Sequence, residues 1–376
     1  MSRTKLALYL GNFDLKNGYA SVARIFNIAI LLKKNGFLTI APCFHAEKQL
    51  FEKQFGADSC LSIIERPPVS KKKLYLDYVY YLKIISDTHP DVVFLYDFPS
   101  IPMKHVLEHC RRNKIPVISD CTEWYDSKCV NGVFSKIFKV VDVFFRMNIL
   151  NKRADGIICV SDYLKRHYSK YNSVKIPPLM EHINSFSTDN KVSRVGENIN
   201  IFYAGNTNKS KDYVIGFLKW LIKNEPGNVF FHVFGNNNSD IQCYLTTSFS
   251  KQHILLYGNL EHNDLLDKIK SFDCELIIRR NSRANRAGFP SKYAESVILG
   301  IPCFVTNVGD IGTLVVDSFN GFLTNWKKVD YSLFVDKLKN TDFANMKKNV
   351  ISNRELFLTN TYLNVFEEFL KKAGVL

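Results

Sequence analysis

The sequence predicts an α/β chain of two doubly wound domains, each a parallel sheet with helices on both faces, facing each other across a cleft. Three observations carry this. Short apolar runs alternate with helix-period stretches along the whole chain, which is the pattern of β-α-β crossovers. The alternation is interrupted once, near the middle, by a polar stretch. The 376 residues, 46% hydrophobic and 23% charged, are enough for two cores of ordinary composition.

The strands expected in the first half are residues 6–10, 38–41, 92–96, 117–119 and 156–160. Those of the second half are 200–203, 229–234, 254–257, 275–278 and 302–306. Between the first two lies a helical pattern over 21–34, with Val22, Ile25, Phe26, Ala29, Ile30 and Leu32 on its apolar stripe and Gly36 as its stop. Residues 102–112 give a helix between two strands. After Lys175-Ile176-Pro177-Pro178 the segment 184–197 is rich in Ser, Thr, Asp, Asn, Lys and Arg. It reads as a linker. The boundaries are therefore a first domain over 1–180, a linker over 181–198 and a second domain over 199–353. A closing helical pattern over 354–376 carries Phe357, Tyr362, Val365, Phe366, Phe369 and Leu370. Ligands of such open sheets bind beyond the carboxyl ends of the strands.

Several classes are excluded or disfavoured. The apolar runs are far shorter than a bilayer-crossing helix. The apolar start of the chain is a five-residue run ending at Gly11-Asn12, a first strand in place of a signal peptide, which points to the cytosol. The nine cysteines are odd in number, lack C-x-x-C pairing and sit mostly in apolar runs, as buried thiols do. His105-Val106-Leu107-Glu108-His109 matches an inverted zinc-protease pattern, but on what reads as an ordinary surface helix. No G-x-G-x-x-G follows the first strand, and neither a P-loop nor a G-x-S-x-G elbow is present. The net charge is +14, and residues 1–180 hold most of it: 27 basic against 16 acidic residues, a net of +11. Such a field suits a diphosphate-bearing substrate or an acidic membrane surface. Nucleic acid is the weaker partner, since no RNA or DNA module signature is present.

The residues that concentrate chemistry lie in the second half. Strand 275–278 runs into Arg279-Arg280-Asn281-Ser282-Arg283-Ala284-Asn285-Arg286-Ala287-Gly288-Phe289-Pro290, then a helix from Pro290 or Ser291 that stops at Gly300. A helix N-terminus crowded by four arginines and Lys292 is an anion site, most naturally for phosphate. Glu295, about one turn inside the helix, can reach vicinal hydroxyls beside that phosphate. The geometry suits a nucleotide ribose and its diphosphate. Strand 200–203 leads through Ala204-Gly205-Asn206 to Lys209 and Lys211, either of which can meet the same diphosphate. In the first half, Asp120 and Glu123 follow the strand at 117–119 and are candidates for acceptor binding or for handling the acceptor proton. Residues 71–85 and 134–153 mix bases with aromatics, which suits a helix lying on an acidic membrane as well as a core-facing stripe.

Taken together, these pieces resemble a GT-B glycosyltransferase, closest to the family-four retaining group of the bacterial surface-polysaccharide type. The pieces are Gly156-Ile157-Ile158-Cys159-Val160-Ser161, Lys175-Ile176-Pro177-Pro178, Tyr203-Ala204-Gly205 with Lys211-Asp212, and Leu256-Tyr257-Gly258-Asn259-Leu260 with Asp264-Leu265-Leu266. Phe289-Pro290-Ser291-Lys292 with Glu295, Gly300-Ile301-Pro302, and Asn320-Gly321-Phe322 complete them. The resemblance implies two Rossmann-like domains, with acceptor bound by the first, nucleotide sugar by the second, and the closing helix returning to the first. It implies that Glu295 holds the ribose hydroxyls, that Lys211 neutralises the leaving diphosphate, and that Gly18, with Tyr19, lies in the glycine loop after the first strand. Gly205, Asn206, Lys209, Ser291, Lys292 and Arg283 complete the expected donor contacts. Arg280 joins Lys211, Asp120 and Glu123 as a catalytic candidate.

The chain departs from the pattern twice. The first Glu of the Glu-x7-Glu motif falls at Ala287, and Asn206-Thr207 stand where an arginine is usual. The resemblance implies a nucleotide-sugar donor, UDP-linked, and a glycan or polyprenyl-diphosphate-linked glycan as acceptor. It implies retention of configuration, no further cofactor and no metal, since no D-x-D stands at a strand end facing the site. The expected setting is the cytosol or the inner face of the membrane, in capsule or lipopolysaccharide synthesis. A catalytically inactive subunit binding nucleotide sugar or glycan, and a sugar-nucleotide epimerase of the same fold, remain as alternatives.

Overall fold

The apolar runs of the first half become the strands of one parallel sheet. The computed structural model describes residues 4–16, 19–56, 60–70, 76–125, 132–183, 198–205, 212–235 and 239–376. Its first sheet contains β1 (Lys5–Leu10), β2 (Phe13–Asp14), β3 (Phe37–Phe44), β4 (Leu61–Glu65), β5 (Val92–Tyr96), β6 (Val117–Cys121), β7 (Gly156–Cys159) and β8 (Ser173–Lys175). The order is β4-β3-β1-β5-β6-β7-β8, all parallel, with short β2 also paired to β3. The helices are α1 (Tyr19–Lys34), α2 (Lys48–Phe55), α3 (Tyr78–Thr88), α4 (Ser100–Arg112), α5 (Val133–Phe145) and α6 (Asp162–His167). Helix α1 buries the stripe from Val22 to Leu32 against β1 and β3, and Gly36 turns the chain at φ 85°.

The second sheet is β9 (Ile199–Ala204), β10 (Val229–Phe234), β11 (Ile254–Gly258), β12 (Cys274–Ile277), β13 (Cys303–Thr306) and β14 (Gly321–Thr324). Its order is β11-β10-β9-β12-β13-β14, again all parallel. Its helices are α7 (Ile215–Asn224), α8 (Ser239–Gln242), α9 (Ser248–His253), α10 (His262–Ile269), α11 (Arg283–Ala287), α12 (Ser291–Leu299), α13 (Ile311–Leu314), α14 (Tyr331–Lys339) and α15 (Phe343–Ile351).

Two compact units result. One holds residues 1–182, 287–289 and 357–376; the other holds 183–286 and 290–356. The expected linker core, 184–197, lies outside the described residues.

The closing segment differs from the single helix that its apolar spacing predicts. Arg354–Phe357 and Thr359–Tyr362 are separate 3-10 turns, broken by extended Leu358 at φ −106° and ψ 147°, and α16 runs only from Leu363 to Lys372. The break lets Phe357 and then Phe366, Phe369 and Leu370 each reach buried positions. Residues 357–376 belong to the first unit, where α16 joins the core of β7 and β8. Phe369 packs so close to Gly156 that a Cβ there would lie 2.6 Å from its ring. Four strands (β2, β4, β8 and β14) were not expected. Each is two to five residues long.

Candidate functional site

In the second sheet the strand order reverses between β9 and β12, and a crevice opens where connections leave such neighbours in opposite directions. The chain leaves β9 through Gly205, at φ 146°, and leaves β10 through Gly235, at φ 128°. A Cβ on Gly235 would lie 2.2 Å from the Gly205 carbonyl oxygen, so the ends of β9 and β10 approach this closely only because residue 235 is glycine. The Lys292 Nζ lies 2.9 Å from where a Gly205 Cβ would be, placing the first turn of α12 against the end of β9.

An ion cluster fills this point. Asp212 is buried and bridges to Arg279, the second residue past β12. Arg279 Nε donates to Asp212 Oδ1 at 2.9 Å, Lys292 Nζ to Oδ2 at 2.7 Å, and Tyr203 OH to Oδ2 at 3.1 Å. The Lys292 ammonium also stands 4.0 Å over the Tyr203 ring. Burial opposes ionisation of Asp212, yet Lys292 and Arg279 hold its carboxyl well below the usual carboxylate range. Conversely, burial works to lower the Lys292 pKa, and Asp212 overcomes it and raises it. Thr306 fixes the strand end: its Oγ1 accepts from Arg279 N at 2.9 Å and donates to Arg279 O at 2.8 Å.

Two further carboxyls sit beside α12. Glu275 on β12 is buried. Its Oε2 accepts from Ser296 Oγ at 2.5 Å, and among the described residues its Oε1 has no hydrogen-bond partner. Burial, only partly offset by Lys292, pushes its pKa up to about 8. Glu295 is partly buried, four residues into α12, and no side chain among the described residues pairs with it. Burial raises its pKa to about 7, with Lys292 pulling the other way. The helix has the bounds the sequence predicts: Pro290 precedes it without a side-chain cap, and Gly300 closes it at φ 72°. Tyr293 N donates back to Pro290 O at 3.1 Å, and no described side chain caps the N–H groups of Ser291 and Lys292 before it.

The arginine loop is less uniform than its sequence suggests. Arg279 is spent on Asp212, so part of the anion that so many cations demanded is supplied by the chain itself. Arg280 is exposed and stacks 4.5 Å over the Tyr213 ring. Arg283 opens α11 and is exposed, and Arg286 donates to Asn281 Oδ1 at 2.7 Å. Ser291 is the first residue of α12. Ala287 is wholly buried with Val160, Leu164 and Met147, and its carbonyl accepts from Ser161 Oγ at 2.6 Å. Gly18, Asn206, Lys209 and Lys211 lie outside the described residues.

The first unit has its own reversal, between β1 and β5. Asp120, expected as an acceptor-side acid, is fully buried. Tyr9 OH donates to its Oδ2 at 2.5 Å, and Arg24 donates from Nη2 to Oδ1 at 3.0 Å and from Nε to Oδ2 at 3.2 Å. Arg24 continues to the carbonyls of Ile176 and Pro177 at 2.9 and 2.7 Å. Asp120 thus ties β6, β1, α1 and the chain after β8 together, and presents no free oxygen to a ligand. Glu123 is partly buried, its N–H 3.4 Å from Asp97 Oδ1 and its carbonyl accepting from Arg146 Nη2 at 3.0 Å. Tyr19 OH is hydrogen-bonded to His182 Nε2 at 2.8 Å.

Sequence reasoning missed Asp97. It sits at the end of β5 in the left-handed region, φ 40°, accepts from Thr122 N at 3.1 Å and pairs with Arg146 at 3.5 Å. Burial, opposed by Arg146, pushes its pKa up to about 6. Sequence reasoning also missed Asp212, Tyr203 and Glu275. Asp212 had a signal, a lone acid directly after Lys211 and facing a run of arginines.

His105 and Glu108 of the zinc lookalike are otherwise occupied: His105 stacks on Tyr78 at 4.0 Å and Glu108 pairs with Lys104 at 4.0 Å. Among the described residues no group of His, Cys, Asp and Glu could hold a metal ion, and no helix is long and apolar enough to cross a membrane. All eight described cysteines are outside disulfides, and Cys243 alone of them is exposed.

No family model and no curated protein matches the chain. Solved structures do. Anabaena HepE in complex with UDP and glucose superposes with a TM-score of 0.70 at 14% identity, covering 98% of this chain and 99% of that one. A glycosyltransferase from Rickettsia africae gives 0.67 at 15% identity over 98% and 99%. WaaG, a glycosyltransferase involved in lipopolysaccharide biosynthesis, gives 0.67 at 11% identity over 96% and 99%. With its two doubly wound units and these neighbours over nearly its full length, the chain has the GT-B fold.

Proposed function

We propose that the chain is a retaining glycosyltransferase that moves a sugar from a UDP-linked donor to a hydroxyl of a glycan, free or carried on a polyprenyl diphosphate. One observation carries the reading. At the β9/β12 reversal a helix N-terminus without a described side-chain cap, the Lys292 ammonium and a Glu295 with which no described side chain pairs stand within one turn of each other. Cation and helix dipole suit a diphosphate, and the carboxylate suits the two ribose hydroxyls beside it. The UDP, UDP–glucose and lipopolysaccharide contexts of the structural neighbours support the donor and product class.

In this reading the acceptor oxygen bonds the anomeric carbon on the face from which the diphosphate departs, and a diphosphate oxygen takes the acceptor's proton. Lys292, Arg280 and the lysines at 209 and 211 meet the growing charge on the leaving group. The reading calls for no protein nucleophile and no metal ion. Its setting is the cytosol, at the inner face of the membrane.

The experiment is thermal unfolding against UDP, GDP, CMP, ADP and inorganic phosphate in EDTA, with Glu295→Ala beside the parent. At a hundred times its Kd a ligand adds about 2.7 kcal/mol. The expected result is a shift with UDP that Glu295→Ala loses. A chain that no nucleotide shifts is not a sugar-nucleotide enzyme. The buried Ala287 favours one second reading, a binding subunit without turnover. A UDP shift with no transfer from any UDP-sugar to glycan acceptors would decide for it.

A further inference from the structure

Helix α5 is turned the wrong way round for a surface helix. Its packed side is short: Asp142 and Val143 are buried, and Lys139 is partly so, lying 4.4 Å over the Tyr125 ring. At 100° per residue the side facing away from these carries Val133, Ile137, Val140, Val141 and Phe144, flanked by Phe134, Phe138 and Phe145. All eight are exposed, Phe134 to 89% and Val133 to 72%. A surface helix ordinarily presents polar residues there. A contiguous apolar face of this size marks an interaction surface.

The last turn of the helix is anchored at the carboxyl edge of the sheet. Asp142 Oδ1 accepts from Ser100 N at 2.7 Å, at the start of α4, and Arg146 reaches Asp97 at the carboxyl end of β5. The earlier turns extend past that edge, over the side where Glu123 and Asp97 lie. The same edge carries a second exposed apolar pair, Leu76 and Val79, at the start of α3. Asp77 between them anchors this start through Arg66, which also donates to Gly11 O just past β1.

We propose that α5, with Leu76 and Val79 at the same edge of the first sheet, is the docking face for an anionic lipid bilayer, the helix lying in the plane of the interface. Charge selects this occupant over an apolar protein groove. The only acid on α5 is the buried Asp142, its exposed cation is Lys136, and the half of the chain that carries it has a net charge of +11. Apolar residues that enter the headgroup region, with lysine at their margin and a basic body behind, are the features of an interfacial helix. The inference deepens the acceptor side of the proposed function, and rests on that reading for what the docking delivers: an acceptor presented from the membrane to the carboxyl edge of the first sheet.

The test is co-sedimentation with vesicles of phosphatidylglycerol and phosphatidylcholine, and with phosphatidylcholine alone, without any sugar nucleotide. The proteins are the full chain, the triple variant Phe134→Ser/Ile137→Ser/Phe144→Ser, and Lys136→Glu. All substituted side chains are exposed, and thermal unfolding checks that each variant folds. The parent is expected to sediment with the anionic vesicles. The triple variant should partition at least tenfold less, and Lys136→Glu several-fold less. Absence of sedimentation by the parent overturns the proposal, as does equal binding to neutral vesicles or equal binding by the triple variant. A parent that is an oligomer, does not bind vesicles and becomes a monomer on triple substitution overturns it in favour of a contact between copies. Because the readout uses no donor, vesicle binding by a chain that UDP does not protect would sink the transfer reading and leave the docking face standing.

Discussion

At the reversal in the first sheet, Asp120 meets Arg24 and Tyr9 and all three are sealed in. At the reversal in the second, Asp212 meets Arg279, Lys292 and Tyr203 in nearly the same combination of acid, cations and phenol. The first set is closed: the remaining Arg24 donors go to backbone carbonyls. In the second, no described side chain pairs with Glu295, and Arg280 is exposed. The same chemistry therefore serves as a rivet in one unit and as half of a binding site in the other. The difference lies in what remains unsatisfied.

The largest expected effect tests that distinction directly. Asp120→Asn and Asp212→Asn each leave buried cations without a counter-charge, and each should destabilise the chain by about 3–5 kcal/mol. Only in Asp212→Asn can a ligand stand in for the missing charge, so inorganic phosphate or UDP should restore much of the lost thermal stability there and none in Asp120→Asn. Equal rescue of both, read by unfolding midpoint, would break the comparison.

The next effect concerns Glu275. Its carboxyl has a folded pKa raised to about 8 from an ordinary 4.5. Its contribution to stability is therefore fully present below pH 4.5 and is lost as pH rises through 8, a change on the order of 5 kcal/mol. Glu275→Gln should keep the Ser296 hydrogen bond and flatten this slope, so that the variant gains on the parent between pH 5 and 9 in denaturant titrations. Parallel curves for the two proteins would show that Glu275 is ionised in the fold.

The smallest effect sharpens the second set. Glu295 titrates near pH 7 in the unliganded protein. Only the carboxylate accepts from two ribose hydroxyls, so protection by UDP should increase from pH 6 to pH 8. Glu295→Gln should weaken UDP about tenfold, about 1.4 kcal/mol, and remove the pH dependence. Calorimetric titration at pH 6 and pH 8 measures both.

How much of this was legible in the sequence follows from what each feature depends on. The strands at 92–96 and 229–234 and the helix closed by Gly300 were read to the residue or nearly so, because runs of Val, Phe and Leu and a glycine stop are local signals. Glu295 was legible because its place relative to the helix start is also local. The Asp212 cluster was not, since it joins residues 67 and 80 positions apart that only the β9/β12 pairing brings together. Asp120 reads in sequence as an acceptor-side acid because its partner Arg24 lies 96 positions away on another element. The closing helix was drawn too long because apolar spacing runs on across the extended Leu358.

The return of residues 357–376 to the first unit has a consequence for how the chain is made. The core that β7 and β8 begin is completed by Phe366, Phe369 and Leu370, which emerge roughly 180 residues after His182. At ordinary rates of synthesis that interval is roughly 10 to 40 s. During it the nascent first unit holds an unfilled groove against Gly156, while the second unit has all its strands in hand and can close. The unit begun first on the ribosome is finished last, and a ribosome stalled anywhere in that interval leaves it exposed to chaperones and proteases.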